Sequence, residues 1–298
     1  MKLFAPKFWE DQWEKAIQSS DNKTSEEKIE MWNNRADNFD KNVSSSSGQE
    51  RLQETISFLD KYGVLNEGPK TILDLGCGPG HYAIEFARRG HKVYAMDPAE
   101  KMIDKLNEKL GNENKEVANK IISLVDDWFE LDIEEKGYNK KFDLVFASMS
   151  PAIHGAKNLQ KVIDVSKKYC FISRFAGEKF RKSISYLLEK HLGRQDVSHM
   201  DIIYPLNWLY SKGYKPELHF DSWSRLHKQP KEEAKNEIEQ MLGMFLTVDE
   251  EVKNDIEDYI EEHQEEGYLT EEKGATAGMV LFDIEGKCIK YTLYEIYK

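Results

Sequence analysis

A short apolar run that passes directly into a glycine-rich turn limits the fold of this chain more than any other feature. Residues 71–75 have the composition of a buried strand, and Gly76-Cys77-Gly78-Pro79-Gly80 follows at once. Glycines at such a turn let the backbone approach a ligand closely, and a helix that begins there offers it unpaired N–H groups. Taken alone, the three glycines fit a simple tight turn equally well.

Further apolar runs alternate with helical patterns after this turn. Strands are predicted at 92–96, 121–125, 142–147 and 169–173, with helices at 82–89, 99–110 and 156–168 between them. Alternation at this spacing indicates βαβ units. The sequence therefore predicts an α/β fold, doubly wound around a mostly parallel sheet.

The two ends of the chain have different patterns. Residues 1–47 contain two amphipathic helical patterns and close with a serine run at 44–47, which predicts a helical arm or lid on a flexible joint. Residues 48–298 are predicted to form the α/β domain, with helical insertions at about 178–212 and 229–273. Helices are expected at 178–192, 230–246 and 249–264, and later strands at 214–225, 277–283 and 289–297.

The composition excludes several classes of protein. A net charge of −12 repels phosphate backbones, which argues against nucleic acid as a partner. No apolar run approaches the roughly 18 residues of a membrane-spanning helix, and the N-terminus does not resemble a signal peptide. The three cysteines lack metal-ligand spacing and indicate free thiols, so a cytoplasmic protein without a metal is expected.

Acidic residues end the next two predicted strands. Asp97 ends the second, where a carboxylate can accept both hydroxyls of a ribose. Met102, one helical turn later, can pack on an adenine ring or simply belong to the helix core. The third strand ends in Asp126-Asp127-Trp128, of which Asp127 is the favoured acceptor for an adenine amino group. The strand at 142–148 points its end toward the reaction zone.

The ordered motifs L-D-L-G-C-G-P-G, M-D-P-A-E-K-M, D-D-W and F-D-L-V-F-A-S resemble the class I S-adenosylmethionine-dependent methyltransferases over residues 71–173. This resemblance implies a Rossmann-like seven-stranded sheet, S-adenosylmethionine as methyl donor and S-adenosylhomocysteine as product. Matched by position, it implies cofactor binding by Asp74, Gly76, Cys77, Gly78, Gly80, Asp97, Pro98, Met102, Asp126, Asp127, Trp128, Ala147 and Ser148.

Two further segments bear on the acceptor. Residues 32–40 resemble the W-x-x-R-A-x-x-F helix of many small-molecule members, which implies that Trp32 and Arg35 lie over the cofactor pocket and contact the substrate. After the fourth strand the chain has Ser150-Pro151-Ala152. Enzymes that methylate amino groups of DNA bases or protein amides typically carry N/D-P-P-Y/F there, so this segment argues against such substrates.

Candidate residues for the methyl acceptor are weaker signals. His154 is the first candidate for a general base, with a solvent-exposed loop histidine as the alternative. Arg174 can clamp an anionic substrate or form a surface ion pair. Tyr204 and Trp223 can line the acceptor pocket, although core packing explains Trp223 equally well.

These features predict a methyltransferase acting on a small molecule. Methylation of a protein or peptide side chain is the first alternative, because the helices at 230–264 can dock a partner. A non-catalytic cofactor-binding protein is the second. The spacing G-x-G-x-G differs from the G-x-G-x-x-G of dinucleotide-binding loops and so argues against an oxidoreductase.

Overall fold

The computed structural model describes residues 5–20, 24–177, 181–193, 200–243 and 245–289. Its centre is a sheet with the strand order β3-β2-β1-β4-β5-β8-β6, and the short β7 pairs with β8 outside this path. The strands are β1 (Thr71–Leu75), β2 (Lys92–Asp97), β3 (Ile121–Val125), β4 (Phe142–Ser148), β5 (Ser166–Phe175), β6 (Glu217–Pro230), β7 (Gln264–Glu265) and β8 (Tyr268–Asp283).

The first five strands are parallel, and β8 runs antiparallel between β5 and β6. The carboxyl ends of β1, β2, β3, β4 and β5 therefore meet at one edge of the sheet, which we call the carboxyl edge. Ligands of open α/β sheets bind at such an edge. The predicted mostly parallel, Rossmann-like sheet is confirmed.

Helices cover both faces of the sheet. They are α1 (Pro6–Ser20), α2 (Ser25–Ser44), α3 (Ser46–Lys61), α4 (His81–Arg88), α5 (Glu100–Leu110), α6 (Lys115–Ala118), α7 (Gly155–Val165), α8 (Lys182–Leu192), α9 (Ile203–Ser211), α10 (Lys231–Leu242) and α11 (Glu250–His263). Helices α3, α4 and α5 share one hydrophobic core with the sheet, and α1, α7 and α9 share the other. Alternating side chains of β4 serve the two cores, as the period of a strand requires.

The serine run does not form the predicted flexible joint. Ser44 ends α2, Ser45 alone is extended, and α3 begins at Ser46. The Ser45 hydroxyl accepts a hydrogen bond from the Gly48 amide at 3.3 Å and so caps α3. Serine satisfies the free N–H groups of a helix start well, which explains why the run continues helical structure.

Strands β6 and β8 extend beyond the carboxyl edge. They pair from Glu217↔Leu281 to Pro230↔Tyr268, whereas β5 pairs with β8 only as far as Phe175↔Ala277. Helices α8, α10 and α11 pack on this extension around a separate core that includes Ile184, Ile238, Ile256 and Leu269. We call these three helices and the strand extension the cap.

The predicted strands at 214–225 and 277–283 were displaced or too short. Most of residues 268–276 are charged, polar or small, so their apolar signal is weak although they pair along their whole length. The predicted strand at 289–297 lies outside the described residues from 290 onward. Within the described residues, no helix is long and apolar enough to span a membrane.

Candidate functional site

The glycine loop is built on hydrogen bonds between the ends of β1 and β2. The amides of Gly76 and Cys77 both donate to the carbonyl of Met96, at 2.8 and 3.0 Å. The amide of Gly80 then donates to the carbonyl of Cys77 at 3.0 Å, and α4 begins at the next residue. The loop therefore carries the chain from the carboxyl edge directly into a helix N-terminus.

Two glycines of the loop are required by their surroundings. Gly76 and Gly80 have φ values of +71° and +79°, which side chains with a Cβ rarely adopt. A Cβ at Gly76 would collide with the Ser150 hydroxyl, and one at Gly80 with Leu106 Cδ1. The loop is therefore pressed against both the β4 loop and α5.

Gly80→Ala is expected to destabilise the protein more than Gly90→Ala. Both positions have positive φ, +79° and +93°, but nothing lies within 4 Å of a Cβ at Gly90. Gly90→Ala should cost about 1–2 kcal/mol for the backbone alone. Gly80→Ala should add about 1–3 kcal/mol for overpacking against Leu106. Free energies of unfolding from urea titration measure the difference. Equal losses of stability in the two variants would show that Leu106 of α5 moves aside without an energetic penalty.

Asp97, at the end of β2, holds the loop in place. One carboxylate oxygen accepts a hydrogen bond from the Gly78 amide at 2.9 Å, and the other accepts from the Ala99 amide at 2.9 Å. Burial raises the pKa of Asp97, while these two amides oppose the rise. Each oxygen retains acceptor capacity, as an additional pair of hydroxyl donors requires.

Asp74, in β1, is the second acid of the site. It is 2% exposed, and its Oδ2 has no hydrogen-bond partner among the described residues. Burial, with Asp97 as a second cause, raises the pKa of Asp74 to about 8, and the Ala83 amide opposes this. A buried carboxylate without a donor is costly, so the geometry fits a ligand that brings a cation or a donor to this oxygen.

Helix α2 covers the glycine loop. Phe39 lies 3.3 Å from the position that a Cβ at Gly78 would take. Lys109 of α5 binds both the Asp40 carboxylate of α2 and, at 2.9 Å, the carbonyl of Pro79 in the loop. Loop, α5 and α2 are therefore tied together by one side chain.

The apolar side of α2 extends this covering. Ala36, Ala99 and Met102 form a small buried cluster, with Trp32 and Phe39 packed against it. The Arg35 guanidinium lies 5.6 Å from the centre of the Trp32 ring. Trp32 and Arg35 are thus beside the predicted cofactor pocket. Met102 is already covered by α2, so only part of it is left for contact with a ligand.

The acids that follow β3 differ in their contacts. Asp126 forms an ion pair with Lys136 at 3.2 Å, whereas Asp127 accepts the Phe129 amide at 2.9 Å. The Trp128 ring is 2% exposed and belongs to the second core. The exposed side chains here are Val125 and Phe129, which lie on either side of the acids. Sequence reasoning missed both, because exposed apolar residues have no distinctive pattern.

The end of β4 carries a hydroxyl cluster that sequence reasoning found only in part. The Ser148 hydroxyl hydrogen-bonds to that of Ser173 at 3.0 Å, and the Met149 amide donates to the Ser173 carbonyl at 3.0 Å. Met149 has a φ of +51°, a strained value for this residue type that often occurs at functional sites. Burial raises the pKa of Tyr82, whose hydroxyl bonds to both Thr55 and Ser148. No sequence motif identifies Tyr82, Thr55 or Met149.

The predicted acceptor residues are not all open to a ligand. His154 occupies the N-cap position of α7 without a side-chain cap, and its half-buried ring lies edge-on to Phe129, with ring centres 6.1 Å apart. Arg174 is 1% exposed and donates to the carbonyls of Met200 and Ile153. Contact with an anionic substrate would require Arg174 to give up these bonds. Burial lowers the pKa of Arg174 to about 10, so it keeps its charge at neutral pH.

Tyr204 and Trp223 lie on different sides of the sheet. Tyr204 stacks on Trp13 of α1 at 6.2 Å, and the neighbouring α9 residue Trp208 donates to Glu10 of α1 at 3.1 Å. Tyr204 therefore contributes to the packing of α1. Trp223 is 38% exposed on β6, with the Arg51 guanidinium 5.9 Å from its ring centre. It stands just beyond the carboxyl edge, next to the cap.

The segment that contains the glycine loop is similar to a known protein family. Residues 72–169 match the family described as "Methyltransferase domain". The matched segment contains the glycine loop and is similar to class I S-adenosylmethionine-dependent methyltransferases, which use S-adenosylmethionine as their cofactor. Within the described residues, the unpartnered Asp74 oxygen and the Asp97 carboxylate fit the ammonium and the ribose hydroxyls of that molecule.

Individual relatives are distant. An uncharacterised protein of Haemophilus influenzae is 30% identical over 155 residues, which cover 51% of this chain and 53% of the relative. The chain thus spans about half the length of this curated relative. The YcgJ protein from Bacillus subtilis has 12% identity and a TM-score of 0.51 over 79% of this chain and 98% of its own. It supports the fold alone.

A second solved structure is less similar. Magnesium protoporphyrin IX methyltransferase from Synechocystis, solved with S-adenosylhomocysteine, has 16% identity and a TM-score of 0.44 over 78% of this chain and 82% of its own.

Proposed function

We propose that this protein transfers the methyl group of S-adenosylmethionine to a small-molecule acceptor at the carboxyl edge. The observation that carries the proposal is the pair of carboxylates beneath α2, the buried Asp74 and the half-buried Asp97. One Asp74 oxygen lacks a partner among the described residues, and Asp97 anchors the glycine loop. The cofactor's ammonium would donate a hydrogen bond to this oxygen and bring a positive charge beside it.

The residues of this chain would bind, orient and shield. Asp74 would accept the ammonium and Asp97 the ribose hydroxyls, while Asp127 would accept the adenine amino group. Ala147 and Ser148, which end β4, would lie near the sulfonium. When bound, the cofactor supplies an activated methyl group for in-line displacement, so most of the catalysis rests on alignment of the two reactants.

Exclusion of water would fall to α2. Its ring pair Trp32 and Phe39, 5.5 Å apart between centres, covers the loop, and Arg35 lies beside them. These residues and Trp223 are the proposed acceptor contacts. If the acceptor must lose a proton, His154 is the proposed base, because it follows the β4 loop and is half-buried.

A small acceptor is supported by the covering of the carboxyl edge. Helix α2 lies on one side of it, and the cap extends past it on the other. The net charge of −12 makes nucleic acid an unfavourable partner. Two of the three cysteines are buried free thiols, which supports a cytoplasmic location.

Incubation with cell extract and S-adenosylmethionine labelled in the methyl group tests the proposal. Label is expected in the fraction below the cut-off of an ultrafiltration membrane, in a compound other than the cofactor. Calorimetric titration with S-adenosylhomocysteine is the companion measurement. Binding of S-adenosylhomocysteine without any transfer of label would indicate a non-catalytic cofactor-binding protein. Absence of binding would contradict the proposal.

Methylation of a protein or peptide side chain is the second candidate. It is favoured by a shallow surface between α10 and α11, lined by Glu239, Gly243, Leu246, Val248 and Lys253. The same extract experiment distinguishes the two, because label retained above the membrane and removed by protease would indicate a protein acceptor.

A further inference from the structure

Within the part of the chain that the structure describes, β6 is the last strand of the sheet and its outer edge is open. Among the described residues, β6 pairs only with β8, along all of Glu217–Pro230. Every second residue of an edge strand presents an N–H and a C=O group with no partner in the sheet. The register with β8 contains no bulge, so this edge is regular along its length.

One face of the same strand is apolar and exposed. Leu218, Phe220 and Leu226 are 37%, 54% and 75% exposed, and all three have even numbers and so share one face. Natural edge strands are usually protected by bulges, prolines or inward charges. Between Leu218 and Leu226 the described structure has no bulge and no proline.

Helix α3 covers the opposite face of the strand. Phe58 of α3 reaches Phe171 of β5, with ring centres 6.2 Å apart. Thr55 donates to the sulfur of Met279 in β8 at 3.6 Å. On β6 itself, the ring of Phe58 stacks on that of His219 with centres 5.7 Å apart, so α3 packs across β5, β8 and β6.

The sequence of β6 is complementary to itself. The groups that face outward alternate, so two antiparallel copies can hydrogen-bond only with odd residues opposite odd and even opposite even. The two-fold axis must then pass through a residue. With the axis at Trp223, Asp221 lies opposite Arg225 and Phe220 lies opposite Leu226. Opposite charges and apolar pairs at facing positions both stabilise a sheet.

Neighbouring registers lose this agreement. An axis at Ser222 places Asp221 opposite Trp223 and leaves Arg225 opposite His219. An axis at Ser224 places Phe220 opposite Lys228. The register centred on Trp223 is therefore the one in which both the charges and the apolar side chains are matched.

We infer that this chain forms a homodimer in which β6 pairs antiparallel with β6 of a second copy, centred on Trp223. The two sheets then become one continuous sheet. Trp223 of each copy meets its counterpart on the axis, beside Arg51, so the proposed acceptor regions adjoin. The inference stands on the edge strand alone and does not depend on the methyltransferase activity.

Sedimentation equilibrium of the full chain tests the inference. The wild type is expected at twice the chain mass of 34.7 kDa. Arg225→Asp sets two aspartates opposite each other at both ends of the pair and should give the mass of one chain. The double variant Asp221→Arg/Arg225→Asp exchanges the charges and should restore the dimer. Thermal melts followed by circular dichroism establish that each variant is folded.

A cysteine pair tests the register. In a Cys288→Ser background, Trp223→Cys should form an intermolecular disulfide under mild oxidation, because directly opposite Cα atoms lie about 4.5–5.5 Å apart. Ser222→Cys is the matched control, since its counterpart is displaced from it by two positions and should not cross-link.

Three results would overturn the inference. A wild type with the mass of one chain over a wide concentration range would do so directly. A dimer that is unaffected by Arg225→Asp would place the interface elsewhere. A wild-type monomer that dimerises only after deletion of residues 290–298 would show that the chain's own end occupies the edge.

Discussion

Asp97→Ala is expected to reduce affinity for S-adenosylhomocysteine by at least about 100-fold. A hydrogen bond to a charged group contributes about 1.5–3 kcal/mol, and this carboxylate is positioned to accept two hydroxyls. It also holds the glycine loop through the amides of Gly78 and Ala99, so the variant loses preorganisation as well. Isothermal titration calorimetry measures the loss.

Two variants make this result specific. Asp97→Asn keeps one acceptor oxygen, so its affinity for S-adenosylhomocysteine should lie between those of Asp97→Ala and the wild type. Asp104→Ala removes an exposed acid from α5 and should bind as the wild type does. Wild-type affinity in Asp97→Ala, with Asp104→Ala unchanged, would mean that the cofactor does not lie against the end of β2.

Asp74→Asn is expected to have opposite effects on binding and on stability. The variant should lose most of its cofactor affinity, because a neutral amide cannot replace the carboxylate opposite an ammonium. In the ligand-free protein the substitution removes an acid whose pKa burial raises to about 8. The unfolded chain ionises near its ordinary value, about 3.9.

The sign of the pH dependence follows from these two values. Between about pH 4 and pH 8 the unfolded state loses the proton while the folded state retains it, so the stability due to Asp74 is lost as pH rises through that window. The free energy of unfolding of the wild type, measured by urea titration, should therefore decline more steeply with pH over this range than that of Asp74→Asn. The difference should reach up to a few kcal/mol at pH 8. Parallel pH profiles would show that Asp74 is ionised in the folded protein.

Cofactor binding near pH 7 should release protons for the same reason. An ammonium beside Asp74 favours the ionised carboxyl and lowers its pKa on binding. Titrations in two buffers of different ionisation enthalpy measure the number of protons released, and Asp74→Asn serves as the control with a smaller release. A binding heat that is independent of buffer would contradict the prediction.

The grouping of the predicted cofactor residues at the carboxyl edge could be predicted from the sequence because it depends on local order along the chain. The parallel strands end at the same edge, so the residues at and just after the ends of β1, β2 and β4 must come together. Asp74, Asp97 and the glycines are found there. Local composition was misleading at the serine run, which predicted a flexible joint. There Ser45 caps α3, and helical structure continues on both sides of it.

The acceptor side could not be predicted, because it depends on contacts between distant segments. Thr55, Tyr82 and Ser148 meet through tertiary packing alone. Arg174 follows a strand in the pattern of a ligand-binding residue, yet carbonyls from two other segments enclose it. The length of β8 was likewise underestimated, because residues 268–276 have a weak apolar signal although they pair with β6.

The packing of α1 against α9 has a consequence for biosynthesis. Trp13 is 1% exposed and stacks on Tyr204, and Glu10 accepts a hydrogen bond from Trp208. During translation the first helix must therefore wait for a partner that emerges nearly two hundred residues later. Until then its tryptophan faces solvent, as a surface that chaperones can recognise. Helix α1, which is synthesised long before α9, is therefore among the last of these helices to reach its place.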